Sequence, residues 1–336
     1  MASNGRPTLK HVAERSGVSL ISVSRVIRGA PNVSISLKNK VERAARELGY
    51  KPNRIAGSLR GQRADLIPVI VPSISNSVFA EVIDGINDRL SSTPFQPLLG
   101  ISHYSQDQEE EFLRDVLSWS PAAVMLSGLE HNQGTRLLLQ EYGCPVVEFF
   151  DTDGEVIDSC VGTSQAEAGQ IMARHLVEKG YRRIGYVGAW GERPVRSQKR
   201  REAFEAALEE LGVPLVARQI EDAPSSMAVG ANGLSNLLAR SSELDAVFFA
   251  NDDLAIGALF YCKENGISVP GQVALAGFNG LEMCDVITPR LTTIYNPRFE
   301  IGIQAGELIL DRLKNPNAKP GLVQRLPLAI HIGQTT

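Results

Sequence analysis

The chain has 336 residues, of which 43% are hydrophobic and 21% charged, and its formal net charge is −4. This length suits two or three domains, and no unbroken apolar stretch approaches the ~18 residues that a membrane-spanning helix needs. The polar N-terminus, MASNGRPTLK, lacks the apolar core of a signal peptide. We therefore expect a cytoplasmic protein with no membrane association.

The charge is distributed unevenly along the chain. Residues 1–63 contain thirteen Lys and Arg against three Glu, so this segment has a net charge of +10 and the remainder has −14. A basic segment joined to an acidic body favours a polyanionic partner for that segment alone. A solvated basic surface without a partner is the alternative that charge leaves open.

Three short amphipathic patterns follow one another near the N-terminus. In the first, Thr8 can cap a helix, and Gly17 permits a left-handed stop. The second runs from Leu20 to Ile27 with Ser19 as its cap, and the third runs from about Ser36 to Leu48. Apolar residues at helical spacing predict a common core. The expected core residues are Leu9, Val12, Ala13, Val23, Val26, Ile27, Leu37, Val41, Ala44, Ala45 and Leu48.

Two short helices around a glycine-containing turn, closed by a third helix, make a helix-turn-helix unit. Such a unit places its second helix in the major groove, where the first residues of that helix meet the base edges. Arg25 can pair with guanine, whereas Leu20 and Ile21 can contact only thymine methyl groups or sugar edges. An ordinary three-helix bundle is the alternative, and the excess positive charge favours DNA binding. The side chains suited to phosphate oxygens are Thr8, Ser19, Ser22 and Asn32.

The motifs V-A-x-x-x-G-V-S, V-S-R-V and L-G-Y-x-P-N-x-x-A-x-x-L closely resemble the head of the lac-repressor family of bacterial regulators. The resemblance implies that PNRIAGSLRGQR, residues 52–63, folds into a hinge helix on the operator beside the hinge of a second subunit. Leu59 would wedge between base pairs in the minor groove, and Ala56 would face the partner hinge. A flexible basic linker is the alternative. The residues expected to contact DNA are Thr8, Ser19, Leu20, Ile21, Ser22, Ser24, Arg25, Arg28, Asn32, Asn53, Ala56 and Leu59.

From Asp65 the pattern changes to apolar strands that alternate with amphipathic helices. The strand DLIPVIVP is followed by the helix SVFAEVIDGINDRLSS, and the alternation continues to the strand VALAGFNG. This regularity predicts an α/β fold of doubly wound parallel sheets. Ten or more predicted strands are more than a single twisted sheet usually contains. We therefore expect two lobes with a ligand cleft at the carboxyl ends of their strands.

This body resembles the periplasmic-binding-protein-like core that the same family carries behind its head. The resemblance places about 64–162 together with 293–336 in one lobe and about 163–292 in the other. No leucine heptad tail follows LPLAIHIGQTT, so we expect a homodimer and not a tetramer. The expected domains are a helix-turn-helix head at 1–51, the hinge at 52–63, and an effector-binding and dimerisation core at 64–336.

Several side chains near the ends of predicted strands are candidates for ligand contacts. Ser73 follows the first strand, with Phe79 as an apolar wall beyond it, and Ser127 ends the third strand. Glu148 lies inside an apolar strand, where an unpaired carboxylate is costly. For Glu148 a structural ion pair and a ligand contact are both open.

The stretch WGERPVRSQKRREAF crowds five cations at a strand-to-helix junction. Cations in the first turns of a helix are locally unfavourable, so a negative ligand can offset them. Arg200, four residues before Phe204, matches the family's effector-contacting arginine, and Asn251 in FFANDD matches another ligand position. A solvated basic face is the alternative for most of the cluster, of which we expect Arg193 and Arg200 to contact the effector. The five cations are Arg193, Arg196, Lys199, Arg200 and Arg201.

Many sugar-binding members of the family have Gly-Phe/Tyr-Asp-Asp where this chain has GFNG, so Asn279 replaces an aspartate that would accept sugar hydroxyls. The loss of a carboxylate beside gathered arginines favours an anion. With PVVEFFD and the pair His103-Tyr104, the chain most resembles the gluconate-repressor branch. The resemblance implies a repressor released by a sugar acid: gluconate, then 2-ketogluconate or idonate. A phosphorylated or neutral sugar, and a ligand that strengthens DNA binding as a co-repressor, stay open.

Other classes of protein have less support. A free sugar-binding protein for transport is disfavoured by the basic head. The chain has no HExxH, no GxSxG at a strand-helix elbow and no P-loop, so we expect no enzyme. Its five histidines and four cysteines lack metal-ligand spacing, and we expect no metal or other cofactor, with the cysteines buried and reduced.

Overall fold

The residues that the computed structural model describes are 7–27, 30, 33–50, 63–191 and 195–336. The chain divides into two compact units, Met1–Ala64, here called the head, and Asp65–Thr336, called the body. None of the helices in the described ranges is both long and apolar enough to cross a membrane.

The described part of the head folds into three helices, at α1 (Leu9–Ser16), α2 (Leu20–Ile27) and α3 (Ile35–Glu47). Thr8 caps α1, and Gly17 ends it in the left-handed conformation with φ of 60°, as predicted. Helix α3 begins and ends one residue before its predicted bounds. The reason is its cap, because the hydroxyl of Ser34 accepts the N–H of Leu37.

Each helix of the head contributes to one apolar core. Val12, Val23 and Val41, one from each helix, have no exposed surface. All of the predicted core residues lie in this cluster, buried or packed against it. An ion pair between Arg15 and Glu47, 2.7 Å long, also joins α1 to α3. The predicted three-helix arrangement is confirmed.

The body contains two sheets, of which the first defines the first lobe. Its six strands all pair in parallel. They are β1 (Leu66–Val71), β2 (Gln96–Ile101), β3 (Val124–Ser127), β4 (Val146–Asp151), β5 (Ser159–Thr163) and β11 (Leu322–Arg325). Their order is β11-β5-β4-β3-β1-β2. The central strands are almost wholly apolar, because in a parallel sheet helices cover both faces.

Four helices belong to the first lobe: α4 (Ser77–Leu90), α5 (Gln106–Leu117), α6 (Gln133–Tyr142) and α12 (Arg298–Lys314). The helices α4 and α12 pack closely through glycines at their crossing. A Cβ atom placed on Gly85 would lie 2.3 Å from the carbonyl oxygen of Phe299, so only glycine fits there. This crossing fixes α12, which comes from near the end of the chain, onto the first lobe.

The second sheet defines the second lobe. Its strands are β6 (Ile184–Gly188), β7 (Ala217–Ile220), β8 (Ala246–Phe249), β9 (Ala274–Asn279), β10 (Thr292–Tyr295) and β12 (Ala329–His331), in the order β12-β10-β9-β8-β6-β7. The helices of the second lobe are α7 (Gln165–Glu178), α8 (Val195–Glu210), α9 (Met227–Arg240), α10 (Asp252–Glu264) and α11 (Met283–Val286). The predicted α/β fold with two lobes is confirmed.

The chain passes between the lobes after β5, after β10 and again after β11. The last passage corrects the expectation that residues 293–336 all belong to the first lobe. Strand β10 remains in the second sheet, and β12 pairs antiparallel with it, Ile294 opposite Ile330. The physical reason is that β12 covers the edge of β10, which would otherwise present unpaired backbone groups. The second sheet is therefore mixed and not purely parallel.

Candidate functional site

The described head has an apolar patch on its surface at the start of α2. Leu20 is 50% exposed and Ile21 is 74% exposed, and both point away from the core that holds Val23. Arg25, one turn later, is also exposed. The two aliphatic side chains can contact thymine methyl groups, and the arginine on the same side of the helix can bind a base edge.

The acidic residues of the head are paired with basic ones. Glu14 faces Lys10, Glu42 faces Lys38, and Glu47 faces Arg15. Four further cations on the three helices have no carboxylate within ion-pair distance among the described residues, so their charge is available to a polyanion. They are Arg25, Lys40, Arg43 and Arg46.

The other predicted DNA contacts are placed as follows. The hydroxyl of Ser19 accepts the N–H of Ser22 and lies 3.0 Å from the hydroxyl of Ser22, at the exposed start of α2. Thr8 is at the start of α1, and Ser24 lies half-buried in α2. The predicted contacts that lie outside the described residues are Arg28, Asn32, Asn53, Ala56 and Leu59.

In the body, one cleft lies between the two lobes at the carboxyl ends of their strands, where the fold predicts it. The first lobe contributes residues from α4, from the loop after β2 and from β4 to the cleft wall. The second lobe contributes the starts of α7 and α8 and the ends of β6, β8 and β9. The lining residues are Asn76, Val78, Phe79, Tyr104, Phe150, Gln165, Ala189, Trp190, Arg196, Ser197, Arg200, Ala250, Asn251, Phe278, Asn279 and Asn296.

Arg200 is buried in the floor of this cleft. Its guanidinium donates to the side-chain oxygen of Gln165 and, over 2.8 Å, to the carbonyl of Ala250, and it lies 3.7 Å from the ring centroid of Phe278. Its Nε has no hydrogen-bond partner among the described residues. Burial lowers the pKa of Arg200 to about 10. The cation therefore sits in a place that penalises its charge. The charges of Asp151 and Asp252 offset this penalty only in part, and no carboxylate of the described residues forms an ion pair with Arg200.

Arg196, one turn earlier on α8, is a second cation of the cleft and is half-buried. Its guanidinium lies 4.6 Å from the ring centroid of Phe150 and 5.5 Å from that of Phe79, so it rests on aromatic faces of the first lobe. Burial lowers its pKa, and the charges of Tyr104 and Asp151 only partly offset this effect. No carboxylate of the described chain forms an ion pair with Arg196.

The nearby carboxylates are held instead by Lys199. Its ammonium donates to Asp151 over 2.7 Å and to the carbonyl of Asp153 over 2.6 Å, and it forms an ion pair with Glu130. Lys199 lies on the second lobe, whereas its three partners lie on the first. The arginines therefore keep a surplus of positive charge because Lys199 binds the anions of the opposite lobe.

Amide side chains surround the two arginines. Asn251 accepts the N–H of Leu254 and donates to Ser225, so it is fixed at the start of α10. Asn279 is buried at the end of β9 with φ of 126°, and Asn296 accepts a hydrogen bond from Thr163. Each amide retains donor or acceptor capacity for ligand hydroxyl groups.

Of the predicted effector residues, four line this cleft together: Phe79, Arg200, Asn251 and Asn279. Ser73 does not line it, because its hydroxyl accepts the N–H of Ser75 in a turn. Ser127 lines a smaller neighbouring cavity, where its hydroxyl has no partner among the described residues. Arg193 lies outside the described residues.

Glu148 also lies away from the cleft, in a buried cluster of the first lobe. It accepts the N–H of Ile157 over 2.6 Å and lies 3.4 Å from Nε2 of His131, whose Nδ1 is 2.6 Å from Glu109. Burial by itself lowers the pKa of His131, but hydrogen bonds and charge from both carboxylates outweigh it and raise that pKa to about 9. His131 is therefore charged at neutral pH. It gives Glu148 a cationic partner, which agrees with a structural ion pair and not with a ligand contact.

Sequence reasoning did not assign a ligand role to Tyr104, Gln165, Trp190 or Arg196, although all four line the cleft. Each follows the carboxyl end of a predicted strand within a few residues or begins the next helix. That position was a usable signal for all of them. What the sequence does not display is which loops of the two lobes come together.

Two family models match the chain. Residues 8–53 match the model described as bacterial regulatory proteins, lacI family, and residues 173–336 match a periplasmic binding protein-like domain. The first match covers the described head, and the second covers most of the second lobe and the return to the first.

Relatives and solved structures resemble the chain over almost its whole length. The HTH-type transcriptional regulator GntR of Pseudomonas aeruginosa is 40% identical, with 92% of this chain and 90% of that protein covered. The regulator of the same name from Escherichia coli is 34% identical, with 95% of each covered. A crystal structure of a LacI-family transcriptional regulator from Silicibacter pomeroyi has a TM-score of 0.92 and 42% identity, covering 98% of this chain and 99% of that one.

Proposed function

The chain belongs to the lacI family of bacterial regulatory proteins and is a DNA-binding transcriptional regulator, and from this premise we propose that it is a homodimeric repressor released by a sugar acid. Its relatives carry the names of transcriptional regulators and not of enzymes. The proposal adds three things: that the second subunit is another copy of the chain, that the cleft binds an open-chain acid such as gluconate, and that binding weakens operator affinity.

The two arginines of the cleft favour an acid as the ligand. Arg200 is buried and Arg196 half-buried in the cleft, and neither forms an ion pair with a carboxylate of the described residues, while Lys199 binds the acidic groups of the facing lobe. Unpaired buried cations are costly, and a ligand carboxylate would supply the missing counter-charge through charge-assisted hydrogen bonds. The amides of Asn251, Asn279 and their neighbours suit the hydroxyl groups of a polyol chain.

On the DNA side, the exposed start of α2 and the unpaired cations of the head support operator binding. The proposed contacts in the described head are Thr8, Ser19, Leu20, Ile21, Ser22, Ser24 and Arg25. For residues 52–63 we propose the hinge role that the family resemblance implies. Two such hinges, side by side, would link operator affinity to the arrangement of the two bodies.

A ligand releases DNA only if it binds the DNA-free arrangement more tightly than the DNA-bound one. The cleft offers the means, because its walls belong to different lobes that are joined by three chain passages. A ligand bound between Arg196 on α8 and residues of the first-lobe wall, such as Asn76 and Tyr104, would fix one relative position of the lobes. We propose that this position disfavours the paired hinges.

The experiment begins with purified full-length protein and fragments of its own genome. Fragments retained at low salt are sequenced to find the operator, and fluorescence anisotropy then measures its affinity with gluconate, 2-ketogluconate, idonate, glucose and 6-phosphogluconate. Arg114→Met, which removes an exposed cation paired with Glu110, is the control for Arg196→Met. We expect gluconate or a close acid to weaken operator binding at least tenfold, and Arg196→Met but not Arg114→Met to abolish the effect.

Three results would change the proposal. Release by glucose alone would replace the sugar acid with a neutral sugar, and release by 6-phosphogluconate alone would replace it with a phosphorylated one. Tighter operator binding with gluconate would make the protein a co-repressor type regulator. A chain that sediments as a monomer on its operator would contradict the homodimer.

A further inference from the structure

Two aromatic side chains from opposite lobes meet at the cleft. Tyr104 follows β2 in the first lobe, and Trp190 follows β6 in the second. Their ring centroids are 4.8 Å apart with planes inclined at 45°. Both side chains line the cleft, and both are only half-buried, so the pair lies at its rim.

The backbone on each side of this contact has an unusual conformation. His103 and Tyr104 have φ of 50° and 59°, and Trp190 and Gly191 have φ of 67° and 59°. Bulky residues rarely adopt left-handed backbone, and strained residues of this kind cluster at ligand clamps and switch regions. Here two such pairs, one on each lobe, aim their aromatic rings at each other.

Backbone hydrogen bonds hold each loop to its own lobe. Trp190 donates to the carbonyl of Ala223 over 2.8 Å, and Gly191 donates to that of Glu221 over 3.0 Å. On the other side, Ser105 donates to the carbonyl of Ser102 over 2.8 Å. Since each loop is anchored within its lobe, the distance between the two rings depends on how far the lobes are closed.

Tyr104 also lies close enough to Arg196, the half-buried cation of the cleft, to interact with its charge. Burial raises the pKa of its phenol, and the charge of Arg196 lowers it in part, so the hydroxyl stays protonated at neutral pH. That hydroxyl makes no hydrogen bond to any of the described residues. Within the part of the chain that the structure describes, it is a donor without an acceptor, and it lies beside Arg196, where the proposed function places the carboxylate of the effector.

We propose that the Tyr104–Trp190 pair closes the cleft over a single sugar acid and sets its size limit, while the Tyr104 hydroxyl adds a hydrogen bond to the bound acid. A ligand that continues beyond one sugar-acid unit would pass between the rings and separate them. Aromatic pairs of this geometry are worth up to about tenfold in an equilibrium constant. This inference rests on the proposed function, which supplies the acid.

The test compares gluconate with lactobionate, which is gluconate carrying one galactose, by calorimetry on the full-length protein. We expect the wild type to bind gluconate at least 100-fold more tightly than lactobionate. Trp190→Ala and Tyr104→Ala should each reduce that ratio at least tenfold, and Trp190→Phe should preserve it. Tyr104→Phe should weaken both ligands about threefold to tenfold and leave the ratio unchanged. An unchanged ratio in both alanine variants would overturn the size limit, and unchanged affinities in Tyr104→Phe would overturn the hydrogen bond.

A second measurement needs no ligand and separates the failure of this inference from that of the proposed function. The chain has two tryptophans, so Trp119→Phe leaves Trp190 as the only one. In that background we expect Tyr104→Ala to raise acrylamide quenching of Trp190 at least twofold and to shift its emission to the red. If the wild type binds neither acid but Trp190 responds in this way, the effector assignment is wrong and the closure stands. If the quenching is unchanged, the closure is wrong whatever ligand the cleft binds.

Discussion

Lys199 of the second lobe donates a hydrogen bond to Asp151 of the first lobe over 2.7 Å, and Asp151 has no exposed surface. This contact joins the lobes directly beside the two arginines of the cleft. It follows that the ion pair has two effects: it favours a closed arrangement of the lobes, and it keeps the acid of the first lobe from neutralising the ligand site.

Lys199→Met should destabilise the body and alter its ligand binding. Asp151 would lose the cation that compensates for its burial, and breaking a largely buried ion pair costs roughly 2 kcal/mol or more. Arg196, whose charge already interacts with that of Asp151, would then face an unpaired carboxylate, so we expect weaker gluconate binding as well. Urea unfolding and calorimetry measure the two effects. Lys314→Met, which breaks an exposed pair with Asp311, is the matched control, and an equal loss of stability in both variants would contradict the prediction.

Arg196→Met should separate stability from binding. The variant removes a half-buried cation that has no carboxylate partner among the described residues, so the unliganded protein should unfold at the same temperature as the wild type or a higher one. Gluconate affinity should fall at least tenfold, because the ligand loses a charge-assisted hydrogen bond. Differential scanning calorimetry with and without gluconate measures both quantities. A clear loss of stability without ligand would show that Arg196 has a structural role.

Asn279→Asp should move the preference of the cleft from acids towards neutral sugars. A carboxylate there would repel the carboxylate of the ligand and accept sugar hydroxyls instead. We expect gluconate affinity to fall at least tenfold while glucose affinity rises. Asn279→Gly removes the amide without adding charge, and glycine accepts the φ of 126°, so it is the control. Equal losses of gluconate affinity in the two variants would mean that only the amide matters.

The cluster of His131, Glu109 and Glu148 should make stability depend on pH in the alkaline range. The folded pKa of His131 is about 9, above its ordinary value of 6.5, so its contribution is fully present below pH 6.5 and is lost as the pH rises through 9. From pH 6 to pH 9.5 the wild type should lose roughly 3 kcal/mol relative to His131→Asn. Urea midpoints at several pH values test this. Parallel pH profiles for the two proteins would show that His131 does not titrate with folding.

Truncation of two residues of α2 should have different effects, one on the stability of the head and the other on operator affinity. Val23→Ala opens a cavity in the core of the head and should cost about 2 kcal/mol of its stability. Ile21→Ala removes an exposed side chain, so it should leave stability within about 0.5 kcal/mol while weakening operator binding several-fold. Circular dichroism melts and anisotropy on the selected operator measure the two effects. Operator affinity unaffected by Ile21→Ala would remove this residue from the proposed DNA contacts.

The sequence predicts most of the body because its strands are long apolar runs between turn residues. The last three strands escape this reasoning because TTIY, LVQR and AIH are short, and they become strands by pairing with β9, β5 and β10. These strands are β10, β11 and β12. The head is predicted almost completely, since the caps at Thr8 and Gly17 and the apolar spacing are all local signals.

The candidate site is predictable only in part, because its pairs are distant in sequence. The family resemblance points to Arg200 and Asn251, and charge points to the cluster on α8. The contact of Tyr104 with Trp190, however, joins loops of different lobes. In the same way, the sequence alone leaves Glu148 as a candidate for ligand binding, whereas the folded chain places His131 beside it as an ion-pair partner. Local patterns predict which residues end strands, whereas the fold decides which ends meet.

The three passages between lobes have a consequence for how the protein is made. Helix α12 and strand β11 complete the first lobe, and β12 completes the edge of the second, yet all three follow residue 297, after the other strands and helices of the body. Neither lobe can bury its full apolar surface until residues 298–331 have been synthesised. Both cores therefore stay incomplete while the preceding residues emerge from the ribosome, and a premature stop near residue 290 would yield an aggregating fragment with no intact lobe.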